Sequence, residues 1–237
     1  MSTVTLESPY TTLPALIAIH GKDRAEHPAL IEGEQRMTYR QLDAEANRVA
    51  AALQRDGVEP GDAIAICGSN SINYAVLFVG ALRAGVTVAP LAPSSTPESL
   101  LGMLADSAAK LYFADASVQS AMAGVRDRLS MPLISMDNSG SETHYSDWLA
   151  ETGAVPTAVE ITPEMTFNVI YSSGTTGEPK AVICTFGMAW ANAINYGQPS
   201  GLTADDISIN FLPLFHTAGI NLPTLPLFHV ITLVPDA

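Results

Sequence analysis

The chain has 237 residues, 47% hydrophobic and 15% charged, which is enough apolar material for one large domain or two small ones. Its formal net charge is -13, the wrong sign for holding nucleic acid by its phosphates, and a surface of that sign repels anionic membranes. Two cysteines, Cys67 and Cys184, have no CxxC spacing, which argues against a disulfide framework or zinc site and fits a reduced, cytoplasmic setting.

The N-terminal stretch MSTVTLESPYTTLPALIAIH has no basic leader, only a short apolar run, and reads as a loose segment rather than a signal peptide. No run approaches the length of a transmembrane helix. The first strong element is MTYRQLDAEANRVAAALQRDG. Thr38 and Gln41 have the spacing of a capping box, Leu42, Ala46, Val49, Ala50 and Leu53 share a face, and Gly57 ends the helix. VEPGDAIAIC then reads as a turn and a strand, and SNSINYAVLFVGALRAG as a buried helix capped by Ser69 or Ser71 and stopped at Gly85. VTVAPL is a strand, STPESLLGMLADSAA a helix with Thr96 as cap and Pro97 in its first turn, and KLYFAD a strand. ASVQSAMAGVRDRL and MPLISMD give one more helix and strand.

This alternation predicts an α/β fold of layered, mostly parallel sheet with flanking helices. Residues 138–165 interrupt the rhythm with Ser, Gly, Thr and Pro around one short helix and read as linker-like. The expected division is a first α/β subdomain segment over 1–137, the linker, and a third segment over 166–237. In that last part MTFNVIYS and KAVICTF read as strands, GMAWANAINYG as a helix, DISINFLPLF as a strand, TAGINLPTLPLF as a helix and HVITLVP as a strand. An apolar run that stops almost at Ala237 reads as a chain cut inside a larger fold.

The two strands flank YSSGTTGEPK, residues 171–180. Gly174 and Gly177 free the backbone so that amides converge on one point, an arrangement that binds anions. Ser172, Ser173, Thr175 and Thr176 add hydroxyl donors, Pro179 stiffens the exit, and Lys180 is the sole lysine or arginine between Leu129 and Ala237. A polyphosphate suits such a loop, and the β- and γ-phosphates of ATP most of all. It is not a Walker loop, because Pro179 and Ala181 stand where the second glycine and the metal-binding hydroxyl belong. It also lacks the dinucleotide GxGxxG spacing. The bland alternative is a Gly/Ser/Thr hairpin that binds nothing, although a turn has no need of four hydroxyls and a terminal lysine.

YSSGTTGEPK resembles the phosphate-binding signature of the adenylate-forming superfamily: acyl- and aryl-CoA synthetases, peptide synthetase adenylation domains and luciferases. TYRQLDAEANRVAAAL, GDAIAICGSNSINYAVLFVGALRAGVTVAPLAP and FLPLFHTAG agree with it, so the resemblance runs from about Thr38 onward. It implies an ATP-dependent carboxylic acid–CoA ligase. Acid and Mg·ATP give an acyl adenylate and pyrophosphate, and coenzyme A then takes the acyl group and releases AMP. It further implies that Ser172, Ser173, Gly174, Thr175, Thr176, Gly177 and Lys180 hold the ATP phosphates, that Thr176 and Lys180 serve catalysis, and that Ser173 lies near magnesium. His216, with Phe215, would border the pocket for a small carboxylic acid. Phe186, Met188, Trp190 and Phe211 are further candidates for an acyl site, or simply core.

The sequence departs from the family at Ala181 and Phe186, where many relatives have glycine and histidine. Nothing in it matches the family's later Tyr-Gly-x-Thr-Glu segment, its ribose-binding aspartate or its mobile C-terminal domain. The expectation is therefore an N-terminal part that does not adenylate by itself. Two alternatives stand beside the CoA ligase: an adenylation domain that loads a carrier protein, and a non-catalytic phosphate- or nucleotide-binding module.

Overall fold

A computed structural model describes residues 10–140, 142–172, 179–201, 206–220 and 232–235, with side chains described for all of these except 196–200 and 232–235. Helix α1 (Leu13–Asp23) opens the described fold, capped by Thr12 with Pro14 in its first turn. An antiparallel hairpin follows, β1 (Pro28–Glu32) and β2 (Gln35–Thr38). From Thr12 onward the N-terminal segment is thus structured rather than loose, and residues 1–9 lie outside the described residues. Its helix hides in the sequence because Ala15, Ala18 and Ile19 make its other sides apolar too, beside the buried face of Leu13, Leu16, Ile17 and His20.

Helix α2 (Tyr39–Arg55) carries the expected capping box: the Gln41 amide donates to Thr38 Oγ1, and the Thr38 amide donates to Gln41 Oε1 at 2.8 Å. From here the chain alternates as the sequence reads: β3 (Ala63–Cys67), α3 (Ile72–Arg83), β4 (Thr87–Leu91), α4 (Pro97–Asp106), β5 (Ala109–Ala114), α5 (Ala116–Ala121), a 3-10 turn (Ala123–Arg128) and β6 (Leu133–Ser135). Ser71, Thr96 and Asp115 cap α3, α4 and α5. Residues 138–165 contribute a two-residue strand β7 (Thr143–His144) and the one-turn helix α6 (Tyr145–Trp148), whose Tyr145 and Trp148 are buried. Then come β8 (Thr166–Ser172), β9 (Lys180–Thr185), α7 (Phe186–Ser200), β10 (Ile207–Asn210) and β11 (Thr232–Pro235).

Seven strands form one sheet in the order β7-β6-β5-β3-β4-β8-β9, parallel at every pairing except the β8–β9 hairpin. Side chains alternate between its faces. Ile64, Ile66, Val88, Leu111 and Phe113 join the core beneath α1, α2 and α3. Ala65, Cys67, Ala89, Leu91, Tyr112 and Ala114 join a second core with α4 and α5. Helix α3 lies between the sheet and α2 and is buried almost all round, from Ile72 to Leu82. Its Gly80 allows a close crossing with α2: a Cβ there would collide with Val49 and stand 3.0 Å from the Ala46 carbonyl.

A smaller sheet has the order β10-β11-β1-β2. β11 runs parallel to both β1 and β10, so the latest described strands close onto the first. No helix among the described residues is long and apolar enough to cross a membrane.

Candidate functional site

β3 passes to β4 through α3 on one face of the large sheet, and β4 passes to β5 through α4 on the other. Neighbouring strands whose chains leave toward opposite faces open a crevice at their C-terminal ends, where α/β proteins bind ligands. Here it is a cavity of about 320 Å³. Gly68, Ser69 and Asn70 line it from the end of β3, Pro93 and Ser94 from the end of β4, and Phe215 from the segment after β10.

That segment is tied down by one side chain. Asn70 donates through Nδ2 to the Leu212 carbonyl at 3.0 Å and accepts the Leu214 amide on Oδ1 at 2.9 Å. Beyond the tie, the His216 amide donates to the Pro213 carbonyl at 3.0 Å, and the Ile220 amide donates to the His216 carbonyl at 2.9 Å. The turn is tight enough that a Cβ at Gly219 would overlap the Pro213 carbonyl. Phe215 is half-buried and His216 is exposed beside it, its Nδ1 at 3.4 Å from the Ala218 amide. Of the predicted pair, Phe215 lines the crevice, and His216 follows it outside that lining. Only residues 217–220 of the helix expected in TAGINLPTLPLF fall within the described residues, and those are helical.

β8 runs parallel to β4, with Asn168 opposite Val88. Its C-terminal end therefore reaches the same edge of the sheet as Leu91 and the crevice. There the hairpin sets Ser172 opposite Lys180, and Ser172 Oγ donates to the Lys180 carbonyl at 3.3 Å. The two ends of the expected phosphate loop are thus joined at its neck. Ser173, Gly174, Thr175, Thr176 and Gly177 lie outside the described residues. Lys180 is exposed, and among the described residues it enters no ion pair. One residue before Ser172, Tyr171 donates its hydroxyl to Asp106 Oδ2 at 2.7 Å, anchoring the hairpin to α4. Burial, and then the hydrogen bond to Asp106, raise that phenol far above its usual range, so it stays a donor.

A second cavity of about 160 Å³ lies between the β8–β9 face and α7. Asn168 and Cys184 line it from the sheet, Met188 and Asn192 from α7, and Thr217 and Ile220 from the turn after His216. The aromatic and methionine residues picked out from the sequence therefore separate. Phe211 and Phe215 line the crevice and Met188 the second cavity, while Phe186 is core, edge-on to Phe167 at 5.3 Å. Trp190 is partly buried against the same core. Among the described residues no group of three or more His, Cys, Asp or Glu is placed to hold a metal. Sequence reasoning missed Asn70 and Asn168. Asn70 sits in a polar loop where nothing local marks it, whereas Asn168 did leave a trace, as an amide inside the apolar strand TFNVIY.

A crevice at the point where neighbouring strands lead to opposite faces, with the neck of a hairpin at the same edge, is where α/β proteins bind their ligands. The chain belongs to the family of AMP-binding enzymes, whose model matches residues 18–235. It is 28% identical over 199 residues, 84% of its length, to a long-chain-fatty-acid–CoA ligase, FadD13, of Mycobacterium tuberculosis, and covers 39% of that protein. It is 30% identical over 196 residues, 82% of its length, to tyrocidine synthase 2 of Brevibacillus parabrevis, covering 5% of it. A crystal structure of a long-chain-fatty-acid CoA ligase from Rhodopseudomonas palustris shares the fold, with TM-score 0.88 and 24% identity over 95% of this chain and 57% of that one. The chain thus spans well under half the length of the curated relatives it matches. Enzymes of this family work with ATP, and its acyl-CoA ligases with coenzyme A.

Proposed function

We propose that this chain carries the pyrophosphate clamp and part of the acid pocket of an ATP-dependent carboxylic acid–CoA ligase. The observation that carries this reading is the hairpin neck: Ser172 faces Lys180 at the same sheet edge as the crevice that holds Phe215 and adjoins His216. In the first step a carboxylate oxygen bonds to the α-phosphorus of Mg·ATP. The bond from that phosphorus to the bridging oxygen breaks, and pyrophosphate leaves with the electron pair. Lys180 and the donors from Ser172 to Gly177, Thr176 among them, neutralise the departing charge, which is where a nucleotidyl transfer needs help. His216 and Phe215 border the acid and hold its carboxylate toward the nucleotide. In the second step the thiol sulfur of coenzyme A bonds to the acyl carbon, the bond to the phosphate oxygen breaks, and AMP leaves. Magnesium arrives with the nucleotide; Ser173, the residue assigned beside it, lies outside the described residues.

The chain covers 39% of the fatty-acid–CoA ligase it matches, so the whole reaction is proposed for a polypeptide of that full length, and phosphate and acid binding for these 237 residues. Acid-dependent exchange of pyrophosphate into ATP by that polypeptide tests the reading; its absence across a broad acid panel sinks it. Lys180→Ala in the 237-residue chain is expected to weaken pyrophosphate binding by about tenfold or more, the loss of one charge-assisted contact, with the fold intact by circular dichroism. The likeness to a tyrocidine synthase supports a second reading, transfer to a carrier-protein thiol instead of coenzyme A. Thioester formation with coenzyme A against a carrier domain separates the two. Two free cysteines support a cytoplasmic site of action.

A further inference from the structure

The floor of the cavity beneath α7 is not apolar throughout. Asn168 is 2% exposed, lines that cavity, and has no hydrogen-bond partner for its Oδ1 among the described residues. A buried amide oxygen left unpaired costs about 1–3 kcal/mol, and native proteins tolerate such a group mainly where a ligand or water completes it. The surrounding wall is largely apolar, with Ile220 and Met188, while Thr217 and Asn192 add polar atoms. Thr217, which lines this cavity, directly follows His216 in the chain. At about 160 Å³ the cavity has the size that accepts one benzene ring, and it is well below the several hundred Å³ of an extended ligand pocket.

We propose that the acid is a compact, ring-sized carboxylic acid whose far end carries a hydroxyl or amide group that pairs with Asn168, rather than a plain alkyl acid. This deepens the ligase reading and rests on it. The amide selects by the penalty for leaving it unpaired: an analogue that lacks the polar group fills the same space and abandons Asn168 in an apolar wall. A hydroxyl meets the site in either amide orientation, because it both donates and accepts.

Cys184 lines the same cavity and provides a readout independent of catalysis. Cys67 is wholly buried and its thiol is pushed up to about 12 by burial, with hydrogen bonding from Tyr112 opposing and Asp115 adding to the rise. Alkylation of the native 237-residue chain by N-ethylmaleimide, followed by mass spectrometry, therefore reads Cys184. The matched probes are 3-phenylpropanoate and 3-(4-hydroxyphenyl)propanoate, each titrated as a protectant. The hydroxylated acid is expected to protect Cys184 at a concentration about tenfold lower than its parent. In Asn168→Leu that order is expected to reverse, with the parent acid gaining. Equal protection by the two acids in the unaltered chain, or preference for the parent acid, overturns the inference and leaves the ligase reading standing on its exchange assay. Protection by neither acid overturns both the inference and the placement of the acid pocket. The wild-type comparison decides the matter even if the leucine variant does not fold.

Discussion

At the scale of single residues, the crevice depends on an amide that touches neither sheet nor helix interior. Asn70 holds the Leu212 carbonyl and the Leu214 amide together, and so fixes the segment that presents Phe215 and His216. Replacing it leaves a backbone donor and acceptor in a part-buried place without partners, a loss of about 1–3 kcal/mol. Asn70→Ala is thus expected to lower the urea midpoint and to weaken acid binding, while pyrophosphate binding at the Ser172–Lys180 neck stays unchanged. An equal loss of both ligands would mean that Asn70 supports the whole fold instead. The contrast with His216 is instructive. The histidine is legible because it stands among Phe, Pro and Gly in a recognisable string; Asn70 and Asn168 act through partners or cavities distant in sequence, and no local pattern announces them.

Between elements, α2 approaches α3 closely at Gly80. A methyl group there meets Val49 and the Ala46 carbonyl, and overpacking of this kind costs about 1–3 kcal/mol. Gly80→Ala is expected to lower the melting temperature by several degrees, measured by calorimetry on the 237-residue chain. No change would show that the helices separate at no cost. The elements that the sequence announced are those with local signatures: the capping box at Thr38, the Ser71 and Thr96 caps, and the strand-helix rhythm from β3 to β6. The hairpin from β8 to β9 was equally plain from its two apolar runs. Helix α1 and the β1–β2 hairpin were not, because α1 is apolar on several sides and β2 is mostly polar, with Gln35 and Arg36 exposed. Nor does any local pattern tell β1 that its second neighbour is β11, about two hundred residues away.

Across the whole molecule, the net charge of -13 leaves few cations to balance the carboxylates, and the pairs that exist shape the response to acid. Arg126 holds Glu142 in a two-pronged contact at 2.8 and 2.6 Å. That hydrogen bond is the main reason the Glu142 carboxyl falls below its ordinary value of 4.5, with burial opposing and the Arg126 charge assisting. A carboxyl depressed in the folded state contributes stability above its unfolded value and loses it as the pH falls through the folded one. Stability is therefore expected to decline as the pH drops below about 4.5. Glu142→Gln should remove part of that decline while leaving the melting temperature at pH 7 only slightly reduced. An unchanged acid limb of the stability curve in the variant would refute the assignment.

The small sheet also has a temporal consequence. In the order β10-β11-β1-β2, strand β1 finds its second partner only when β11 has been made. Closing so long a loop adds little thermodynamic cost, because the entropy grows only with the logarithm of its length. The kinetic cost is larger. During synthesis β1 waits with one row of backbone donors and acceptors unpaired, an edge of the kind that recruits stray strands. A nascent chain arrested before residue 232 should accordingly be more prone to self-association than one that has passed residue 235, and that vulnerable interval is set by topology rather than by any residue of the active edge.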